Sequence, residues 1–480
     1  MYIGLDVGTS SVKAVLFSED GTVLKKASKA YPVHGENGNL ELDPLEVRNA
    51  AFYVLRQAGE HTKEIRTIGI SSLGEAAVLI GKDDQVLDRS ILPGDRRGTR
   101  EAELLKDKET ILRRTGLPVN GTYTVCKLLW LKENKTEVYH QIRRVMLFGD
   151  YIAWCLTGEQ RIGHSLASRA MAFDLEQEEF FSPAEGIDPE WFSVPVQADA
   201  CVGRILPERA GELHLPGTVL VFAGGHDQPC AAVGTGAVQK GWASDSVGTS
   251  ECITVNLGND RLREEVVREA NYACEPFLQP GIYHTMAYTH TAGKLVEWLY
   301  RKVAGREPGC PVYGKEKAVP TGLLVLPHFA GSGTPYMDPM STGAIIGLDL
   351  HTDLELLYRG IIESVCYEMK ENLLLWKERG IKCSRVTAVG GGTKSEIWLQ
   401  YKADIYEMPV YVAGCEEASA LGAAIASAKG VGDFDTWKEA VSSMVTYQAV
   451  YHPDEKRREQ FREAYGRYSR LYEAVKNIYK

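Results

Sequence analysis

The tetrapeptide Val-Gly-Thr-Ser occurs twice, as Val7-Gly8-Thr9-Ser10 near the start of the chain and as Val247-Gly248-Thr249-Ser250 near its middle. Each copy lies in a strand–loop–strand context: Tyr2–Leu5 and Val12–Phe17 flank the first, and Glu251-Cys252-Ile253-Thr254-Val255 follows the second. A unit repeated at about half the chain length constrains architecture more than any local propensity does. It predicts two related domains, and 480 residues are enough to give each its own core. The boundary is expected at Val238–Ser244, giving domains over 1–240 and 241–450 and a C-terminal helix over 451–480.

Local patterns fill in this outline. Asp43 as cap, Pro44 in the first turn, and Leu45, Val54, Leu55 and Ala58 near helical spacing predict a helix over 43–61. Ile65–Ser71 and Ala76–Ile80 read as strands, and Thr124–Glu133 and Asp150–Thr157 as helices. Residues 174–200 are acidic, contain proline and read as irregular. Thr218–Ala223 is a strand that opens through Gly224-Gly225-His226-Asp227 into a helix from Gln228. In the second half a strand over Val386–Val389 leads through Gly390-Gly391-Gly392-Thr393-Lys394-Ser395 into a helix over Glu396–Ile405, and another helix fits Ser419–Ala428. Phe461, Tyr465, Tyr468, Tyr472, Val475 and Tyr479 alternate at spacings of four and three, one face of a helix. That stripe is expected to dock on the body of the protein; a dimer contact is the alternative.

Composition excludes several classes. A formal charge of −10 gives no electrostatic footprint for nucleic acid. No basic segment with an apolar run opens the chain, and no run of 18 apolar residues occurs, so a cytoplasmic protein without a membrane span is expected. The ten cysteines form no Cys-x-x-Cys pair. Cys126, Cys230, Cys252 and Cys366 lie among apolar or small residues and read as buried thiols.

Glycine lets several backbone N–H groups approach one concentrated anionic charge. Two Gly-Thr-Ser hairpins facing each other would grip a triphosphate from both sides through Gly8, Thr9, Ser10, Gly248, Thr249 and Ser250. The first loop adds Asp6, a carboxylate suited to a hydrated magnesium ion. Lys13 could neutralise phosphate charge or point to solvent. Gly390-Gly391-Gly392, between strand and helix, would let adenine and ribose pass close to the backbone. No Gly-x-x-x-x-Gly-Lys-Ser/Thr and no Gly-x-Gly-x-x-Gly after the first strand is present, which disfavours the common alternative nucleotide motifs. Asp227, at the end of an apolar strand, is placed to accept a proton from an alcohol; the alternative is a cap for the helix that follows.

Together these motifs resemble those of the FGGY carbohydrate kinases. Asp6–Ser10 is similar to that family's first phosphate loop, Ser246–Ser250 to its second, and Gly390–Ser395 to its adenosine loop. Gly225-His226-Asp227-Gln228 resembles the segment with the catalytic base. Lys127-Leu128-Leu129-Trp130-Leu131, and Leu326–Gly331 with Gly343–Leu348, resemble its signatures. The resemblance implies an α/β fold of two ribonuclease-H-like (actin/hexokinase-type) domains flanking a deep central cleft. It implies ATP and Mg²⁺, a sugar substrate, no nucleic-acid or membrane partner, and a homodimer by analogy. Asp227 becomes the base and, with Asp6 through water, a metal-side carboxylate. Gly390, Gly391, Gly392, Lys394 and Ser395 become adenosine contacts. Glu75, Asp95, Arg97, Asp227 and Gln228 become sugar contacts.

Two departures affect the sugar. Glu75, in Ser72-Leu73-Gly74-Glu75, stands where xylulose kinases typically carry His. Pro93-Gly94-Asp95-Arg96-Arg97 keeps the Asp and Arg of Trp-Asn-Asp-x-Arg but lacks Trp-Asn. A pentulose or hexulose such as xylulose is expected as substrate. A polyol such as glycerol or erythritol, or a sugar acid such as gluconate held by Arg96 or Arg97, is the alternative, with a non-catalytic ATP-binding relative behind both.

Overall fold

The computed structural model describes every residue except 37, 61, 63, 308–313 and 479–480. Its frame is two mixed sheets. The first contains β1 (Tyr2–Val7), β2 (Ser11–Phe17), β3 (Val23–Ala30), β4 (Thr67–Ser72), β5 (Cys201–Arg204) and β6 (Leu220–His226), in the spatial order β5-β6-β4-β1-β2-β3. The second contains β7 (Trp242–Val247), β8 (Glu251–Gly258), β9 (Glu275–Pro276), β10 (Tyr283–Thr289), β11 (Arg385–Val389), β12 (Val410–Ala413) and β13 (Tyr447–Tyr451), in the order β9-β10-β8-β7-β11-β12-β13.

The central five strands of the two sheets superpose in pattern. β1, like β7, pairs antiparallel with the next strand and parallel with a strand from far along the chain. A second parallel strand follows in each case, β6 beside β4 and β12 beside β11. The Val-Gly-Thr-Ser echo thus marks a duplicated sheet.

Around these sheets lie α1 (Pro44–Gly59), α2 (Thr124–Asn134), α3 (Phe148–Thr157), α4 (Asp227–Gly234), α5 (Leu354–Glu378), α6 (Glu396–Tyr406), α7 (Ala418–Gly430), α8 (Trp437–Met444), α9 (Arg458–Tyr468) and α10 (Leu471–Val475). Helix α1 starts as expected: Asp43 accepts the Leu45 N–H at 2.8 Å, and Val47, Val54, Leu55 and Ala58 are buried. The expected last residue, His61, is outside the described residues. Residues 174–200 are less irregular than expected, since Phe173–Asp174 pairs with Glu179–Phe180 and Val194–Val196 with Arg161–Gly163.

The division at 240 separates the sheets but not the cores. Helix α7 lies on the first sheet, where the paired residues Gly4 and Gly69 leave room for it. A Cβ on Gly4 would sit 1.9 Å from the Ala420 carbonyl oxygen, and one on Gly69 1.9 Å from that of Ala423. Glycine within a strand often marks such a backbone approach. Helices α7 and α4 also meet closely: a Cβ on Gly422 would lie 1.9 Å from the Cys230 carbonyl oxygen. One apolar cluster therefore joins Tyr2, Val15 and Phe17 with Ala232, Leu421, Ile425 and Trp437. The covering helix comes from late in the sequence, a long-range contact that no local pattern encodes.

The chain end forms two helices, not one, with the break at Ser469–Arg470. Phe461, Tyr468, Tyr472 and Val475 are buried in the core of the second sheet. Tyr468 donates to Glu368 at 2.7 Å, and Glu368 in turn lies 3.0 Å from the ring of the buried His328. The stripe is thus spent inside the protein, and the dimer alternative loses this surface; Tyr479 is outside the described residues.

Candidate active site

Parallel pairing brings the ends of β1, β4 and β6 together. Asp6 is level with Ser71, and Ser71 with Gly225. Ser71 donates to Asp6 Oδ1 at 2.9 Å. β6 carries a bulge between Phe222 and Gly225, and Gly224 there has φ +56°. A Cβ on Gly224 would lie 1.8 Å from the Ile70 carbonyl oxygen. Bulges of this kind re-aim the side chains that follow, here His226 and Asp227. Helix α4 starts at Asp227 with His226 in the cap position, so the carboxylate belongs to the first turn rather than to the cap. Asp227 Oδ1 lies 3.2 Å from His226 Nε2.

The two carboxylates repel. Burial, then the charges of Asp6 and Glu75, push Asp227 up to about 7, against a smaller pull from Arg169 and the Gln228 amide. Burial raises Asp6 to about 6, against the Ser71 hydrogen bond and Lys13. Burial, then Arg169 and His284, hold His226 well below the usual imidazole range, so it is neutral beside Asp227. Gln228 follows, and its side-chain Oε1 is buried without a hydrogen bond.

Each Gly-Thr-Ser hairpin is tied from behind. In the first, Gly8 N–H bonds Ser11 O at 3.0 Å, and Tyr31 donates its N–H to Ser10 O and its hydroxyl to Gly8 O. In the second, Gly248 N–H bonds Ser250 O at 2.9 Å, and the amides of Ala292, Gly293 and Lys294 bond Thr249 O and Gly248 O. The tips Thr9, Ser10, Thr249 and Ser250 are exposed. Lys13 pairs with Glu417 on α7's approach at 2.7 Å rather than pointing freely into solvent.

β7 and β11 run parallel, which sets Gly390-Gly391-Gly392 against the end of β7. Cβ atoms on Gly390 and Gly392 would meet Val247 at 2.7 and 2.3 Å, whereas the space above Gly391 is open. Lys394 is exposed and 3.4 Å from Glu416. Ser395 departs from expectation. It is buried, and its hydroxyl bonds that of Tyr358 at 2.9 Å, so it faces the core and not a nucleotide.

The expected sugar contacts divide. Glu75 is buried with φ +62°, and its carboxylate pairs with Arg169, a residue the sequence reading missed. Arg169 also bonds both oxygens of Glu275 at 2.7 and 2.8 Å. Their one sequence signal was a charge inside apolar runs, Leu166–Ala172 and Ala273–Phe277. Asp95 and Arg97 are instead used on each other: Arg97 Nη2 bonds Asp95 Oδ2 at 2.6 Å, Arg97 Nη1 bonds Glu41 at 2.7 Å, and Asp95 accepts the Leu40 N–H. Lys127 donates to the peptide oxygens of both. These groups brace a turn instead of presenting a free carboxylate or cation. Beside the turn, a cavity of about 630 Å³ is lined by Arg96, Arg97, Arg100 and Trp130.

Of the four cysteines read as buried, Cys126, Cys230 and Cys366 are so, while Cys252 is half-buried. Enclosure still pushes the thiols of Cys126 and Cys252 up to about 12, which makes them poor nucleophiles.

Residues 1–234 match the N-terminal domain, and residues 243–431 the C-terminal domain, of the FGGY family of carbohydrate kinases. The chain is 29% identical to the xylulose kinase of Bacillus subtilis (strain 168) over 99% of its own length and 97% of that protein's. It is 27% identical to the gluconokinase of the same organism over 99% and 96%. The structure matches that of a xyloylose kinase from Brucella ovis with a TM-score of 0.89 at 28% identity, covering 99% of each chain. The chain belongs to the FGGY family of carbohydrate kinases, with the two-domain actin/hexokinase-like fold. It is accordingly an ATP-dependent sugar kinase. No helix among the described residues is long and apolar enough to cross a membrane.

Proposed function

We propose that this kinase phosphorylates a pentulose or hexulose, with xylulose the leading candidate, and that Asp227 is its catalytic base. The observation that carries the role of Asp227 is its position: the first residue after β6, two beyond Gly225, which is level with Ser71 and through it with Asp6, with a carboxyl raised to about 7 by burial and by Asp6. A base is most effective when its pKa lies near working pH. Asp227 would accept the hydroxyl proton as the substrate oxygen forms its bond to the γ-phosphorus and the bond to the β-phosphate oxygen breaks, leaving ADP. The hairpin tips at Gly8, Thr9, Ser10 and Gly248, Thr249, Ser250 would hold the phosphates, with Lys13 held nearby by Glu417. Gly390, Gly391, Gly392 and Lys394 would lie along the adenosine. Glu75 and Gln228 would contact the sugar, while Asp95 and Arg97 position the turn.

Asp6 and Asp227 also suit a magnesium ion. Both are half-buried; on top of burial, the charge of Asp6 raises Asp227 and that of Glu417 raises Asp6, an excess of negative potential that a divalent cation relieves. No group of three or more His, Cys, Asp or Glu among the described residues forms a direct metal cluster, so these two would hold the ion through water. The ion would neutralise charge developing on the transferred phosphoryl group.

The similarity to a gluconokinase keeps a sugar acid as second reading. A cytoplasmic setting suits the free cysteines. The test is a coupled ADP-release screen over ketoses, polyols and aldonates with wild type and Asp227→Asn. The variant is expected to lose about 10²–10⁴-fold in kcat while binding ATP normally. Near-native turnover would remove Asp227 from the role.

A further inference from the structure

The Glu75–Arg169–Glu275 cluster is a buried charge group whose Glu75 and Arg169 act on Asp227. Arg169 sits in the turn after residues 164–167, whose Ser165 hydroxyl accepts the His226 N–H at 3.2 Å. Its carbon stem and Nε pack over Gly74, where a Cβ would come within 2.8 Å of it. Its guanidinium lies 5.3 Å from the Tyr123 ring centroid. Glu275 comes from β9 of the second sheet, receives a further bond from Ser168 at 3.1 Å, and is fully buried. Glu75 is held in the left-handed region, with its carbonyl accepting from Thr124 at 2.7 Å. A non-glycine residue kept there despite the cost points to a demand on where its side chain must be.

The cluster has two carboxylates and one cation. Arg169 gives Nη1 to both oxygens of Glu275 and Nη2 to Glu75, and its Nε is enclosed without a partner, so its charge is already balanced by two carboxylates before a ligand arrives. The neighbouring buried cation, Lys127, is bound to the peptide oxygens of Asp95 and Arg97, and Arg97 to Asp95 and Glu41. The region next to Asp227 is therefore net negative and offers no free cation among these groups. Glu75 Oε2 makes no hydrogen bond among the described residues and can accept one from a sugar hydroxyl.

Resting on the kinase reading above, we propose that Glu75, by holding Arg169 against Glu275, makes the pocket select neutral polyhydroxy substrates and reject sugar acids. Discrimination of this kind works through an unfavourable charge as much as through a favourable contact. A carboxylate entering this site would face Glu75 and Asp227 while Arg169 was already engaged. Removing the Glu75 charge would free one arm of Arg169, leave it anchored by Glu275, and turn the cluster neutral.

The test compares kcat/KM for a ketose or polyol with that for the aldonate of equal carbon number, in wild type, Glu75→Gln and Glu75→Asp. Wild type is expected to favour the neutral compound by about 10²-fold, the scale of a hydrogen bond to a charged group. Glu75→Gln should narrow that ratio about tenfold or more, with KM for ATP unchanged. Glu75→Asp keeps the charge and should keep the ratio, which separates charge from fold; thermal melts of both variants check that they fold. A wild type that turns over the aldonate as well as the neutral sugar overturns the proposal. So does a ratio that Glu75→Gln leaves alone, or one set by Arg96→Ala at the outer cavity instead. Absence of ADP release with every compound would overturn the kinase reading itself, a distinct result.

Discussion

The two hairpins have the same tetrapeptide at their tips and opposite electrostatics beneath. Aligned through Val-Gly-Thr-Ser, Asp6 corresponds to Ser246 and Leu5 to Asp245. In the first hairpin the charged cross-strand pair is Asp6 and Lys13, on the face towards α7. On the opposite face Leu5 and Val7 are fully buried and apolar. In the second hairpin the cross-strand pair at that place is Ser246 and Cys252, and the charge has moved to the other face. There Asp245 and Glu251 are buried beneath the loop, each 2.6 Å from the Lys402 ammonium on α6, with Tyr406 donating to Glu251. One half of the duplication holds its carboxylate under a single serine hydrogen bond, and the other sets its carboxylates against a buried lysine. A duplicated scaffold need not share its chemistry evenly: on the function proposed above, the first sheet would carry the reacting groups and the second would serve as a clamp.

The largest effect that would break this contrast is Lys402→Met. Removing one member of a buried ionic group strands the others and typically costs about 3–5 kcal/mol. Lys402 lowers the pKa of Glu251, which burial and Asp245 already push up to about 7. Without Lys402 both carboxyls rise further. A carboxyl with a raised folded-state pKa binds its proton more tightly folded than unfolded, so the variant should regain stability as pH falls and lose it as pH rises. Chemical denaturation at pH 6 and pH 8 checks this; equal losses at both would mean the network is not ionic.

Gly69→Ala comes next. Its Cβ would collide with the Ala423 carbonyl and lift α7 from the first sheet, an overpacking loss of about 1–3 kcal/mol. The corresponding residue of the second sheet is Thr387, which pairs with Ser244 as Gly69 pairs with Gly4. Thr387→Ala should therefore cost less, and denaturant melts of the pair sharpen the comparison.

Asp6→Asn should alter function with little change in stability. A magnesium requirement raised about 10–100-fold is expected, the usual loss when a group holding a metal through an intermediary is removed. Because the Asp6 charge helps to raise Asp227, the acid limb of kcat/KM, expected near pH 7 in wild type, should move to lower pH in the variant. An unmoved limb would show that the two carboxylates do not communicate.

The parts of the structure that sequence reasoning placed well are those whose geometry is set locally. A hairpin tip, a glycine run against a strand end, and an aspartate at a strand-to-helix junction each follow from a few neighbours. The strand-to-helix junction at Asp227 and the glycine turn at Gly390–Gly392 were legible as local structure for that reason. Ser395 was misread because its partner, Tyr358, lies 37 residues away and turns it inward. Arg169 and Glu275 gave only the weak signal of a charge inside an apolar run; their mutual pairing, and the enclosure of Lys402 between Asp245 and Glu251, come from long-range packing. The break between α9 and α10 was hidden by an aromatic spacing that continues through both.

The seat of α7 on Gly4 and Gly69 bears on biosynthesis. The last strand of the first sheet ends at His226, but the helix that closes one face of that sheet spans Ala418–Gly430 and leaves the ribosome after all of its strands. A nascent chain ending near residue 240 would therefore carry Tyr2, Val15 and Phe17 uncovered to water, and the two halves cannot mature one after the other as independent beads on a string.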